Sequence, residues 1–149
     1  MKIAIGCDHG GYQLKQEIIA HLEKRNIEVM DFGCDGTESV DYPDYAKLVG
    51  EAIQQSRCDR GILICGTGQG IAMAANKMKG IRCAVLTDVF SAEMTRMHND
   101  ANVIALGGRV TGAGLALRIV DAYLDASFEG GRHQNRIDKI MAIEAGRSL

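Results

Sequence analysis

Two periods alternate along the chain. Short apolar runs bounded by glycine or charged residues stand between longer stretches in which apolar positions recur every three or four residues. Lys2 to Cys7, Ile27 to Phe32, Arg60 to Cys65, Ile81 to Leu86 and Asn102 to Leu106 read as five strands. The unbroken run Ile62-Leu63-Ile64 predicts a sheet covered on both faces. Between the strands, Leu14, Ile18 and Leu22 predict one helical face, with Lys15, Glu23 and Lys24 at polar positions. Further helices are expected from Pro43 to about Gln55, Ile71 to Met78, Phe90 to Met97, across Leu115, Ile119, Ala122 and Tyr123, and from Asn135 to Ala145. No repeat or linker interrupts this alternation, so residues 1–149 read as a single three-layer α/β domain with a five-stranded parallel sheet. Such sheets bind ligands beyond the carboxyl ends of their strands, where the strand order switches. Asp8 and His9, Cys65 and Thr67, and Arg109 each follow a strand, so one rim could collect them.

The chain is organised around residues 60–77, RGILICGTGQGIAMAANK, where a strand ends in a cysteine, breaks into glycines and restarts as a helix. Gly66, Gly68 and Gly70 permit backbone geometries in which successive N–H groups point into one concavity, which suits an anion. Thr67 and Gln69 complete that loop. Familiar phosphate loops do not fit it. The spacing is GxGxG with Ile71 where a dinucleotide fingerprint needs glycine, no Gly-Lys-Ser/Thr closes a Walker loop, and no arginine stands where a thiol phosphatase would need one. A tight connection remains an equal reading.

Cys65 is either a small buried apolar residue or, beside a helix start, a thiol whose thiolate is favoured and which can act as base or nucleophile. For Cys7 and Cys83, inside strands, the inert reading prevails. His9 and His98 are placed for chemistry, although a polar helix end also accounts for His98-Asn99-Asp100, and His21 reads as ordinary surface. Arg132 and Arg136, four apart, can reach one side and offer guanidinium forks to phosphate, or they are a solvated helix start. No HExxH or CxxC pattern occurs, so no metal is expected.

Composition narrows the field. A net charge of −2 gives no basic footprint for nucleic acid, and no apolar run approaches the ~20 residues of a membrane span. Five cysteines, an odd number with no signal-like segment before them, read as free thiols in the cytoplasm.

Taken together, Cys7-Asp8-His9-Gly10-Gly11, Asp41-Tyr42-Pro43-Asp44-Tyr45, Cys65-Gly66-Thr67-Gly68-Gln69-Gly70, His98-Asn99-Asp100 and Glu129-Gly130-Gly131-Arg132-His133-Gln134-Asn135-Arg136 closely resemble the type B ribose-5-phosphate isomerase family, which extends to galactose-6-phosphate isomerase subunits. The resemblance spans the chain in family order. It implies a Rossmann-like homodimer, or a tetramer of such pairs, with sites shared between subunits. It also implies aldose–ketose isomerisation of ribose 5-phosphate and ribulose 5-phosphate in pentose phosphate metabolism, without metal or nucleotide. By it, Cys65 is the base for a cis-enediolate, and the Gly66 to Gly70 donors hold the oxyanion. His98 opens the sugar ring with help from Asp8 or Thr67, and His9, Arg109, Arg132 and Arg136 grip the phosphate. Asn99 and Tyr42 then meet the hydroxyls. Some members carry a glutamate base where Ile71 stands, and its absence favours Cys65. The alternatives are a six-carbon substrate (allose 6-phosphate or galactose 6-phosphate), a phosphosugar-binding module without turnover, and a thiol phosphatase, against which Ile71 argues.

Overall fold

The computed structural model describes residues 1–149. Strands β1 (Lys2–Cys7), β2 (Glu28–Asp31), β3 (Arg60–Cys65), β4 (Cys83–Val85) and β5 (Val103–Gly107) form one parallel sheet in the order β2-β1-β3-β5-β4. Helices α1 (Tyr12–Lys24), α2 (Tyr42–Gln54), α3 (Gln69–Ala75), α4 (Val89–Asn99), α5 (Ala113–Asp125) and α6 (Arg132–Glu144) follow in chain order. The period of two in the central strands divides them between two cores. Ile3, Ile5, Ile62, Ile64, Ile104 and Leu106 face α1, α4 and α5, while Ala4, Leu63, Val103 and Ala105 face α2 and α3. The chain leaves β1 for β2 on one side and returns to β3 on the other, so the switch point lies between β1 and β3, above Cys7 and Ile64.

Departures from the expected elements have local causes. Helix α3 stops at Ala75 rather than Met78, because the Asn76 amide both donates to the Cys83 carbonyl and accepts from the Cys83 N–H, pinning the helix end to β4. The fourth strand shortens to Cys83–Val85 because the Arg82 N–H is taken by the Asn102 side chain. Helix α4 runs on to Asn99, and α6 begins three residues early at Arg132, so His98, Asn99, Arg132 and Arg136 are all helical. In α5 the buried face is Ala116, Ile119, Val120, Tyr123 and Leu124, with Leu115 turned outward.

Lys15 is the clearest correction: it lies fully buried, not on a polar face. Its ammonium donates to both Asp31 oxygens at 2.7 Å and to the Cys34 carbonyl at 2.9 Å, which uses all three of its donors. His21, expected to be plain surface, bonds Asp121 at 2.8 Å and with Arg25 ties α1 to α5.

Candidate functional site

At the carboxyl ends of β1, β3 and β5, three loops touch through glycine. A Cβ on Gly10 would lie 2.9 Å from the Gly66 nitrogen, one on Gly107 would lie 2.9 Å from the Thr67 carbonyl, and one on Gly108 would strike the Gly10 carbonyl. Backbone bonds complete the interlock: Asp8 N–H to Ile64 O at 3.1 Å, Gly108 N–H to Cys65 O at 2.8 Å and Arg109 N–H to Gly66 O at 3.0 Å. Gly68 takes φ of +79°, the left-handed turn that ends the strand and caps α3, and its N–H donates to Cys65 Sγ at 3.1 Å. The Gln69 N–H bonds the Thr67 hydroxyl at 3.3 Å, whereas the N–H groups of Gly66, Thr67 and Gly70 bond nothing within the chain. A buried thiol thus sits beside backbone donors left free for something else.

The same rim holds the other residues that follow strands. Asp8 is buried, with Oδ1 accepting from the Gly10 N–H at 2.8 Å. His9 Nδ1 accepts from the Val40 N–H at 3.2 Å, which leaves Nε2 as the protonated, donating nitrogen. Tyr42 opens α2 with its ring against Gly70, where a Cβ would lie 2.7 Å from the ring carbon bearing the hydroxyl. Arg109 is exposed and lies across Gly66.

His98, Asn99, Arg132 and Arg136 lie elsewhere. Helix α4 starts beyond β4 and ends beside the start of β5, and α5 likewise returns to the start of β3, where Arg60 bonds its last carbonyls. These four residues therefore gather at the amino ends of the strands. At a rise of about 3.3 Å per residue, the two rims of one chain stand roughly 15–20 Å apart. The second group has its own order. Glu129 N–H donates to Met97 O at 3.0 Å, docking the loop on the end of α4. The His98 and His133 rings stack with centroids 4.2 Å apart and planes 3° apart, and one Glu129 oxygen lies 3.7 Å and 3.4 Å from their Nε2 atoms. Arg132 and Arg136 are exposed on the adjoining turn of α6.

His98, Glu129 and His133 bring their nitrogen and oxygen atoms within 4.8 Å of one another, close enough to share a metal ion if their lone pairs converged. Imidazole lone pairs lie in the ring plane, and parallel planes do not converge on one ion. The arrangement is a stack with a carboxylate at its edge. Burial, then the neighbouring His98 and Arg132 charges, pushes the His133 imidazole below its usual range. Burial pushes the Cys7 thiol, next to Cys34, up to about 12, and the Cys83 thiol likewise. Glu129 and His133 received no role from the sequence, because Glu129 lies before α6 and reaches His133 through a turn at Gly130 and Gly131, both at positive φ, that periodicity does not show.

An open parallel sheet with a thiol, a carboxylate and an imidazole at its switch point, and no nucleotide loop, defines an α/β enzyme of small-molecule chemistry. Residues 3–140 match the family described as Ribose/Galactose Isomerase, and the chain belongs to that family. It is 54% identical over 147 residues to ribose-5-phosphate isomerase B of Escherichia coli K12, with 99% of each chain covered. It superposes on the Clostridium thermocellum ribose-5-phosphate isomerase B structure with a TM-score of 0.97 at 59% identity, covering 99% of this chain and 100% of that one. With the Mycoplasma genitalium ribose-5-phosphate isomerase B structure with bound ribulose-5-phosphate, the TM-score is 0.92 at 44% identity, covering 97% and 96%.

Proposed function

We propose that this chain, an aldose–ketose isomerase by family, interconverts D-ribose 5-phosphate and D-ribulose 5-phosphate with Cys65 as the base. The observation that carries the assignment is the Cys65 thiol held by the Gly68 N–H beside the free N–H groups of Gly66, Thr67 and Gly70. The reaction moves a proton from C2 to C1. A base above C2 must take the proton as charge spreads onto the C1 oxygen, and backbone donors fixed before the reaction stabilise that charge without reorganising. Cys65 carries the proton, and the glycine loop carries the charge. Ring opening falls to His98, assisted by Asp8 or Thr67. His9, Arg109, Arg132 and Arg136 hold the phosphate, with Asn99 and Tyr42 at the hydroxyls, so that remote binding aligns the reacting carbons.

The separation of the two rims supports a site completed by a second copy, whose amino rim covers the carboxyl rim of the first. We place this homodimer in the cytoplasm, in keeping with five cysteines that are all free thiols. No helix is long and apolar enough to cross a membrane. The test is proton NMR of ribose 5-phosphate in deuterated water with the enzyme and a chelator. Ribulose 5-phosphate should appear with deuterium incorporated, and faster than the ketoses of allose 6-phosphate or galactose 6-phosphate. An unchanged spectrum from a protein that binds the sugar phosphate would overturn the assignment.

A further inference from the structure

Taking His98 as the ring-opening residue, as above, the geometry points to His133 and Glu129 as its positioning residues: a buried imidazole fixes the plane of the His98 ring, and a carboxylate within reach of both rings holds the edge of the stack. His98 sits in the last turn of α4 with its side chain about one-third exposed, whereas the His133 side chain is 6% exposed. A lone imidazole at a helix end would rotate freely about its last torsion. Here the parallel His133 ring at 4.2 Å removes that freedom, and the bond from Glu129 N–H to Met97 O keeps the carboxylate at the ring edge.

Charge follows from the same arrangement. Two imidazolium rings stacked at this distance would repel each other. Glu129 lies within ion-pair reach of both rings and is the only acid that does, while Arg132 and Arg136 on α6 face His133 with positive charge. Burial and those arginines disfavour the charged form of the His133 ring. Opening the furanose requires a proton to leave the C1 hydroxyl and one to reach the ring oxygen as the bond from C1 to that oxygen breaks. An imidazole whose plane is set can serve one of those transfers.

The two directions of the reaction separate this role from a merely structural one. Ribulose 5-phosphate cannot close a five-membered ring, because its O5 carries the phosphate. Deuterium uptake at its C1 therefore requires the base and no ring opening. His133→Ala is expected to slow conversion of ribose 5-phosphate by about 10- to 100-fold, as small misalignments of a catalytic group do, while leaving deuterium uptake by ribulose 5-phosphate within about two-fold. His133→Phe, which restores a flat ring, should recover most of the loss. Glu129→Gln, which keeps the shape of the side chain and removes its charge, should show the same split between the two assays with a smaller loss. Equal loss in both assays, or full conversion by His133→Ala, would overturn the positioning role. His98→Asn separates the layers: if it converts ribose 5-phosphate normally, the ring-opening reading itself falls and takes the proposal with it. If it is impaired while His133→Ala is not, only the proposal falls.

Discussion

At the carboxyl rim the chain works with backbone, and at the amino rim with side chains. Around Cys65, glycines bring three loops so close that an added methyl group would overlap a neighbouring main chain. Around His98, helix ends carry exposed guanidinium groups, a stacked pair of rings and one carboxylate. On the roles proposed above, the backbone half takes the charge that develops in the reaction, and Arg132 and Arg136 of the side-chain half share the phosphate with His9 and Arg109. Charge developing on a reacting oxygen is stabilised only by donors already in place to within a few tenths of an ångström. A distal phosphate, with many oxygens and fixed charge, tolerates long side chains that close around it.

The largest effect should come from the backbone half. Cys65→Ala removes the proposed base for the C2 and C1 protons and should slow deuterium exchange at least about 10³-fold in either direction, within what one acid–base residue contributes. The Gly68 N–H loses its acceptor at a cost of only about 1 kcal/mol, so folding and phosphate binding should persist. Near-native turnover would remove the thiol from the mechanism.

The next effect tests whether the two rims belong to different chains. Cys65→Ala and His98→Asn are each inactive in converting ribose 5-phosphate if their roles are as described. If the site is shared across a two-fold axis, unfolding them together and refolding the mixture creates pairs in which one of the two sites has both native halves. Random pairing then restores about a quarter of the sites. Activity that stays at the sum of the separate variants would return the whole site to one chain.

The carboxyl rim was legible in the sequence because it is local. A strand, a glycine loop and residues immediately after β1, β3 and β5 are written as runs and breaks, and parallel topology brings those ends together. Only its interlock was hidden, since the contact of Gly108 with Gly10 joins loops far apart in the chain. The amino rim was legible as residue types alone. Whether His98 and Arg132 share an end with Cys65 depends on where α4 and α6 begin and stop, and periodicity fixes such boundaries poorly. Lys15 was misplaced for a related reason: one charged residue on an apolar face looks exposed until Asp31 and the Cys34 carbonyl are seen above it.

A smaller effect is expected from the phosphate side chains. Arg132→Ala and Arg136→Ala should each raise KM about 10-fold with kcat within about three-fold, because a guanidinium–phosphate contact present in both ground and transition states is uniform binding. Arg109→Ala, on the other rim, should match them. A fall in kcat without a change in KM would place these arginines at the reacting carbons and blur the division between the halves.

The smallest effect concerns stability, and it should mark the amino rim only. The His133 imidazole is held below its ordinary value of 6.5, first by burial and then by the charges of His98 and Arg132. Between that lowered value and 6.5 the unfolded chain binds the proton more readily than the folded one. Stability therefore rises with pH across this window. The contribution is complete above about 6.5 and is lost as pH falls toward the folded value, below which no further slope arises from this group. His133→Phe keeps the ring and removes the titration. Its Tm should vary less than the wild-type Tm between about pH 5 and 7, while Cys65→Ala should retain the wild-type slope. Equal slopes in the wild type and His133→Phe would mean that the buried ring takes up its proton without cost.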